Sequence, residues 1–265
     1  MRTYRIGASD SEIKSQQRER PTEKMPPMST LSSAPLPPLN PDEATLQQAL
    51  PRPVVGVSVE GLSRSAKRVV DVVGAAAGLF LLWPVMVAIA LAIKYTSRGP
   101  ILFRQARRGY RNEIFNVLKF RTMTVDAEQR LVDLESSNES AGGVLFKLKN
   151  DPRVTPLGSF LRRYSLDELP QLIKVLFGEM SLVGPRPLQL RDSDKLLETD
   201  PEAYHRRLQV LPGVTGPWQV GGRSELDYSR MVDLDLDYVE NWSLGRDLLI
   251  ILKTFSVVVS RTGAY

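Results

Sequence analysis

The feature that most constrains this chain is an uncharged apolar run, residues 72–93, with lysine and arginine on both sides. As a helix the run is about 33 Å long, at about 1.5 Å per residue. The hydrocarbon core of a bilayer is about 30 Å thick, so the run is long enough to cross it. Pro84 lies near the middle and lacks the backbone N–H that a helix uses, so the sequence predicts a kink there.

Basic residues flank the apolar run at both ends, with Lys67 and Arg68 before it and Lys94 and Arg98 after it. Lysine and arginine favour the cytoplasmic side of a membrane. We therefore predict a re-entrant helix, which enters the bilayer, turns at Trp83 and Pro84 and leaves on the same side. An ordinary kinked span and a buried core helix are the alternatives.

Composition excludes several classes of site. The chain has no cysteine and a single histidine, His205, which excludes disulfides, thiol nucleophiles and multi-histidine metal centres. A metal, if used, is a hard cation such as Mg²⁺ held by carboxylates. Residues 61–124 hold 11 basic and 2 acidic residues. Because this excess surrounds the apolar run, it indicates a membrane surface or phosphate ligands and no nucleic acid.

The pattern along the chain predicts three parts. Residues 1–62 are a disordered tail, since nine of the nineteen prolines lie in residues 1–60. Residues 63–98 form the membrane segment, and residues 99–265 form the catalytic domain. The expected fold class is α+β: a compact cytoplasmic domain of helices and short strands, one N-terminal re-entrant membrane helix broken at Pro84, and interfacial amphipathic helices.

Residues 101–103 and 114–120 have the composition of strands, and Gly109 between them marks a turn, so we predict a hairpin. Lys119 and Arg121 are two residues apart and should project from one strand face. They are candidate phosphate ligands, and an ordinary solvated face is the alternative.

Two adjacent carboxylates, Asp167 and Glu168, lie where a helix is predicted to begin. Either Ser165 starts a capping box with Glu168, or Asp167 is itself the N-cap. Both registers place the acids at the positive end of the helix dipole, close to Arg162. Asp167 should then stay ionised and suit a nucleophile or a Mg²⁺ ligand, while Glu168 handles a proton. Ordinary helix capping is the alternative.

Two further segments carry candidate ligands. Arg186 lies between Pro185 and Pro187, whose fixed φ angles limit the freedom of a phosphate-binding arginine. Residues 211–223 are rich in glycine and predict a loop that approaches an anion closely, with a tryptophan to stack on a base. The nucleotide-binding candidates in this loop are Thr215, Gly216, Trp218, Gln219 and Arg223.

The order of these motifs resembles the bacterial sugar transferases, which are monotopic phosphoglycosyl transferases acting on polyprenyl phosphate, and in particular the short members that initiate exopolysaccharide synthesis. The resemblance covers about residues 64–261, although Trp83 stands where many members have serine. The matching segments are 67–71, 99–105, 119–123, 151–155, Ser165-Leu-Asp-Glu-Leu-Pro-Gln171, Gly184-Pro-Arg-Pro187 and 213–223.

The resemblance implies a ping-pong reaction at the cytoplasmic face of the bacterial inner membrane. Asp167 attacks the β-phosphate of a UDP-hexose and releases UMP, and polyprenyl phosphate then takes the phosphosugar from Asp167. Glu168 is the partner acid, Mg²⁺ lies at Asp167, and Arg162 and Arg186 bind phosphate. Galactose and glucose are the expected hexoses. Whether the protein forms a homodimer is not decided by the sequence.

Two other classes are compatible with part of the pattern. A non-catalytic, membrane-anchored scaffold that binds a nucleotide sugar would retain the basic and glycine-rich segments. A DNA-binding protein with an anchor is poorly supported, because no helix-turn-helix signature accompanies the basic residues.

Overall fold

A computed structural model describes residues 61–134, 148, 150–222 and 226–260. The predicted tail lies outside the described residues except for its last two positions. Two short strand pairs and nine α-helices make up the described part, which confirms the mixed, helix-rich class. In chain order the elements are α1 Gly61–Thr96, β1 Leu102–Arg108, β2 Ile114–Phe120, α2 Ala127–Leu134, α3 Pro156–Arg163, α4 Gln171–Phe177, β3 Ser181–Val183, α5 Leu190–Thr199, α6 Pro201–Arg207, β4 Gly213–Thr215, α7 Pro217–Gly221, α8 Tyr228–Glu240 and α9 Leu244–Ser260.

Helix α1 contains the whole apolar run and is, among the described helices, the one that is long and apolar enough to cross a membrane. Its buried residues, Asp71, Ala75, Ile89 and Ile93, recur at helical spacing and form one stripe against the rest of the protein. The opposite face is exposed and apolar, with Phe80 77% exposed. One helix thus packs on the domain and presents a hydrophobic surface outward.

The helix is continuous through Pro84, so the structure shows no interruption at the position where we expected one. A proline removes a single backbone donor, and the neighbouring turns keep theirs, so helical pairing can continue past it. The predicted break is therefore wrong as a loss of helical structure, and the kink at Pro84, which continuity of the helix does not test, stays a prediction. The re-entrant topology stays a prediction.

Both ends of α1 are bonded to the same domain. At the first end, Lys67 Nζ lies 2.7 Å from Asp247 Oδ2, and Arg68 Nη1 donates to the Val175 carbonyl at 2.6 Å. Just past the second end, the Ser97 carbonyl accepts from Arg121 Nη2 at 3.0 Å. The domain therefore contacts the apolar helix near both of its ends.

The predicted hairpin is confirmed, with β1 and β2 paired antiparallel. In this register Phe103 pairs with Lys119, Gln105 with Val117 and Arg107 with Phe115. Paired residues share a face, and alternate positions along a strand do too. Lys119 and Arg107 therefore lie on one face of the hairpin.

We expected the glycine-rich segment to be a loop. The structure instead shows strand β4 followed by helix α7. β4 pairs in parallel with β3, and a Cβ on Gly213 or Gly216 would lie 2.1 Å or 2.2 Å from backbone atoms of Gly184. These glycines permit close approach of two protein backbones, so the sequence signal that suggested an anion loop has a packing cause.

The carboxylate pair lies in a 3₁₀ turn, Leu166–Glu168, between α3 and α4. Both predicted helix starts are wrong, because the α-helix begins at Gln171 with Pro170 as its N-cap. Ser165 makes no capping bond and adopts a left-handed conformation, with φ of 54°. Such a conformation costs a non-glycine residue about 1–3 kcal/mol, and here it lets the chain turn from α3 directly into the acidic turn.

Candidate active site

Glu168 is held by two cations from different parts of the fold. Lys119 Nζ, on β2, donates to Glu168 Oε1 at 2.6 Å, and Arg186 Nη1, in the segment after β3, donates to the same oxygen at 3.2 Å. The exposed fractions of these side chains are 18% for Lys119, 15% for Glu168 and 26% for Arg186. The three groups form a largely desolvated charged cluster, in which attraction between charges is strong.

Asp167 lies beside this cluster and is 7% exposed. Burial raises the pKa of Asp167, the positive charge of Lys119 opposes that rise, and the neighbouring Glu168 charge adds to it. Burial would also raise the pKa of Glu168, but Lys119 and Arg186 outweigh it and hold that pKa at about 2. Lys119 and Arg186 thus bond to Glu168 and not to Asp167, and our expectation that Asp167 stays ionised remains a prediction.

Arg162 approaches the pair from helix α3, and its charge lowers the pKa of Asp167. Its Nε donates to Thr122 Oγ1 at 2.9 Å, which fixes the side chain against the end of β2. This approach requires Gly158, because a Cβ there would lie 1.9 Å from the Thr122 carbonyl oxygen. The glycine therefore allows α3 to bring Arg162 to the site.

A small cavity of about 10 Å³ lies next to Glu168, with room for about one water molecule. Two of its lining residues, Arg107 and Gln171, were not among the sequence candidates. Arg107 Nη1 donates to the Pro187 carbonyl at 2.9 Å, next to Arg186. Arg107 could have been found from the pairing of β1 with β2. Once the register is known, Arg107 lies on the same hairpin face as Lys119.

Arg121 does not join this cluster, and the phosphate contact that we expected of it beside Lys119 stays a prediction. It lies one residue beyond β2 and is 7% exposed. Its Nη2 donates to the carbonyl and, at 2.6 Å, to the hydroxyl of Ser97, just past the end of α1. A guanidinium there binds a carbonyl at the negative end of a helix, where a positive charge is favourable.

The predicted nucleotide ligands have partners within the fold. Thr215 Oγ1 lies 2.8 Å from Thr254 Oγ1, and Gln219 Nε2 donates to the Val214 carbonyl at 3.4 Å. Trp218 is 9% exposed and packs in a core cluster, with the Arg186 guanidinium 5.3 Å from its ring. Stacking of Trp218 on a base stays a prediction, and Arg223 lies outside the described residues.

The donor atoms near Asp167 suit a sparsely coordinated metal. Within the described ranges, no three or more His, Asp or Glu side chains converge as a metal-binding group. Mg²⁺ commonly takes one or two protein carboxylates and completes its octahedron with water and substrate phosphate. The Asp167 carboxylate, beside a Glu168 that two cations already hold, fits that pattern.

A protein-family model for bacterial sugar transferases matches residues 62–261 of this chain. That match includes the apolar helix, the carboxylate turn and every element of the described fold except the first residue of α1. The exopolysaccharide production protein ExoY of Sinorhizobium fredii is 40% identical over 217 residues, which are 81% of this chain and 91% of that protein.

Longer proteins are similar over the same region. The undecaprenyl-phosphate glucose phosphotransferase of Komagataeibacter xylinus is 43% identical over 206 residues, 75% of this chain and 37% of that protein. The undecaprenyl-phosphate galactose phosphotransferase of Salmonella typhimurium is 40% identical over 206 residues, 77% of this chain and 42% of that protein. The chain thus spans less than half the length of these two relatives.

Proposed function

Because the chain belongs to the bacterial sugar transferase family, we propose that it transfers a hexose-1-phosphate from a UDP-hexose to a membrane polyprenyl phosphate and releases UMP. The observation that carries the proposal is a desolvated carboxylate pair, surrounded by lysine and arginine side chains, in a domain bonded to both ends of an apolar helix. Two relatives are named for galactose and glucose transfer to undecaprenyl phosphate, which favours these hexoses and this acceptor. The transfer is the first step of exopolysaccharide synthesis.

The proposed reaction has two displacements at one phosphorus atom. An oxygen of Asp167 attacks the β-phosphorus of the UDP-hexose, and the bond from that phosphorus to the bridging oxygen breaks, so UMP leaves. A phosphate oxygen of the polyprenyl phosphate then attacks the phosphosugar-aspartate, and the Asp167 carboxylate is released. A covalent intermediate divides one difficult transfer into two easier ones.

The cations around Glu168 provide the electrostatic part of this mechanism. Lys119 and Arg186 donate to Glu168, and in the proposed mechanism the incoming diphosphate competes for the same N–H donors. Arg162 approaches Asp167 from the α3 side. Fixed positive charges stabilise the charge that develops on a transferring phosphoryl group. Glu168, once its cations contact the substrate, is placed to accept the proton of the acceptor phosphate.

Asp167 would hold the Mg²⁺ ion in this mechanism, with the donor diphosphate and water as the other ligands. The ion would neutralise phosphate charge and orient the diphosphate for attack. The positive charges of Lys119, Arg162 and Arg186 would offset the remaining negative charge of the substrate phosphates.

The contacts of α1 support a same-side topology for the membrane segment. Asp71 and Ile93 are both packed on the domain, yet they are about 33 Å apart along a helix. If α1 crossed a bilayer, one domain would have to contact it on both sides of about 30 Å of hydrocarbon. A helix that enters and leaves on the cytoplasmic side of the inner membrane avoids that cost. The exposed apolar face of α1 then contacts lipid.

We expect single cysteines in place of Ser63 and Thr96, at the two ends of α1, to react from the same side. The chain has no cysteine of its own, so each variant carries one reporter. In spheroplasts, a membrane-impermeant maleimide should label neither variant until the membrane is permeabilised. Cysteine at Asp233, on the exposed face of α8, is the reference for the domain side. Labelling of one end from outside and the other from inside would establish a span.

The function itself is tested by UMP release from purified full-length protein in nanodiscs with undecaprenyl phosphate and Mg²⁺. UDP-galactose and UDP-glucose are supplied separately. We expect UMP to form with at least one of them, together with a lipid-linked hexose. Binding of a UDP-hexose without release of UMP would instead support a nucleotide-sugar-binding scaffold.

A further inference from the structure

We propose that Arg207, held by Asp235, is a positioning residue for Arg186 and thereby for the donor phosphate. The proposal rests on the proposed function, in which Arg186 contacts the transferring phosphoryl group. It concerns two residues that lie outside the carboxylate cluster, on helices α6 and α8. Neither was a candidate from the sequence.

Arg207 forms one continuous link from the core to the backbone of Arg186. Its Nη2 donates to Asp235 Oδ2 at 2.7 Å and to the Arg186 carbonyl oxygen at 2.9 Å, and its Nε donates to the same Asp235 oxygen at 3.1 Å. The side chains are 5% and 0% exposed. Arg207 is fixed by a buried ion pair, and its bond to the Arg186 carbonyl therefore restrains the backbone at Arg186.

A buried ion pair is weak evidence for a stabilising role, because packed hydrophobic residues of similar volume often serve the core as well. The bond to the Arg186 carbonyl is what distinguishes this pair from a purely structural one. An arginine suits the task because its planar guanidinium binds two acceptors in fixed directions at once. A lysine at the same position offers one ammonium, which cannot reproduce that fork.

Other contacts complete the constraint on Arg186. Arg107 donates to the carbonyl of the next residue, Pro187, so two arginines hold successive carbonyls. Pro185 and Pro187 restrict the backbone on both sides of Arg186. Trp218 lies against the guanidinium, 5.3 Å from ring centre to Arg186 Cζ. Backbone and side chain are thus both held, with the guanidinium directed at Glu168.

The substitution Arg207→Lys should lower kcat for UMP release by about 10- to 100-fold, because a displacement of about 1 Å at a reacting group can cost that much. The KM for the UDP-hexose should change by less than about threefold, since the loss is in orientation during transfer. In an Arg186→Met background, the same substitution should change kcat by less than about twofold, because two residues that act through one contact are not additive.

Arg206→Met is the matched control. Arg206 is the neighbouring residue on α6, and it forms surface ion pairs with Glu202 and Glu240. It should leave kcat unchanged in both backgrounds. If Arg207→Lys fails to fold, the double variant Arg207→Met with Asp235→Leu removes both buried charges while keeping apolar volume. It should fold and show the same loss of kcat.

A second readout requires no turnover. Pro185 and Pro187 have no N–H, so hydrogen exchange in residues 184–187 reports only Gly184 and Arg186. Their exchange should become faster in Arg207→Lys and stay unchanged in Arg206→Met. Unchanged exchange, or an equal loss of kcat with and without Arg186, would overturn the positioning role. If wild-type protein released no UMP, the proposed function would fail, and the exchange result would still decide whether Arg207 orders this segment.

Discussion

Asp167→Asn is expected to lower the rate of UMP release by at least about a thousand-fold, the scale of loss when a covalent nucleophile is removed. The amide is nearly isosteric but has no anionic oxygen to attack phosphorus, and it is a poor ligand for Mg²⁺. Because Asp167 is buried in a turn that Ser165 and Pro170 shape, an isosteric change should leave the fold intact. The rate is measured with saturating UDP-hexose, undecaprenyl phosphate and Mg²⁺.

Asp233→Asn is the control for this variant. Asp233 lies on the exposed face of helix α8, so the same chemical change there should leave the rate within about twofold of wild type. Asp167→Asn protein with wild-type turnover would show that another group is the nucleophile.

Lys119→Met should lower kcat/KM for the UDP-hexose by about 100- to 1000-fold, as loss of one fixed charge on a transferring phosphoryl group does. Lys119 donates to Glu168 at 2.6 Å from the face of β2. Methionine keeps the apolar stem in place and removes only the ammonium. Glu168 is then left with Arg186 as its cation, and the donor phosphate loses a ligand.

Lys174→Met is matched to this change, because Lys174 forms a similar pair with Glu179 at 2.7 Å on helix α4. It lies outside the cluster and should retain kcat/KM within about twofold. Equal losses in the two variants would mean that Lys119 acts through stability and does not contact the substrate.

Local patterns predicted those parts of the protein that local physics determines. The apolar run predicted α1, and strand composition with Gly109 predicted the hairpin. The acidic pair was correctly identified as the focus of the positive charge that Lys119, Arg162 and Arg186 provide. These residues are far apart in sequence, and the motifs indicated them without indicating their contacts.

Capping and the ion pairs of the two acids could not be predicted, because each depends on long-range packing. Ser165 lies in a left-handed turn between α3 and the acidic turn, and it makes no capping bond there. Which acid the cations bond could not be predicted either, because Lys119 and Arg186, which both bond to Glu168, come from other elements of the fold.

The conformation of the glycine-rich segment and the position of Arg121 differ from expectation for a similar reason. Glycine permits close approach of any partner, and here the partner is the backbone at Gly184. Arg121 follows Lys119 at strand spacing, but β2 ends between them, and the end of α1 provides another acceptor. In both cases the residue type indicated the kind of contact, close backbone approach or donation from a guanidinium. The tertiary structure determined which group is on the other side of that contact.

The most direct test of the account is to find where the phosphosugar resides on the enzyme. The full-length protein is mixed with UDP-hexose carrying ³²P in the β-phosphate, without acceptor, then quenched and digested for mass spectrometry. We expect one equivalent of UMP and a labelled peptide with the phosphosugar on Asp167, which is discharged when undecaprenyl phosphate is added. Label on another residue, or UMP release only when acceptor is present, would contradict it.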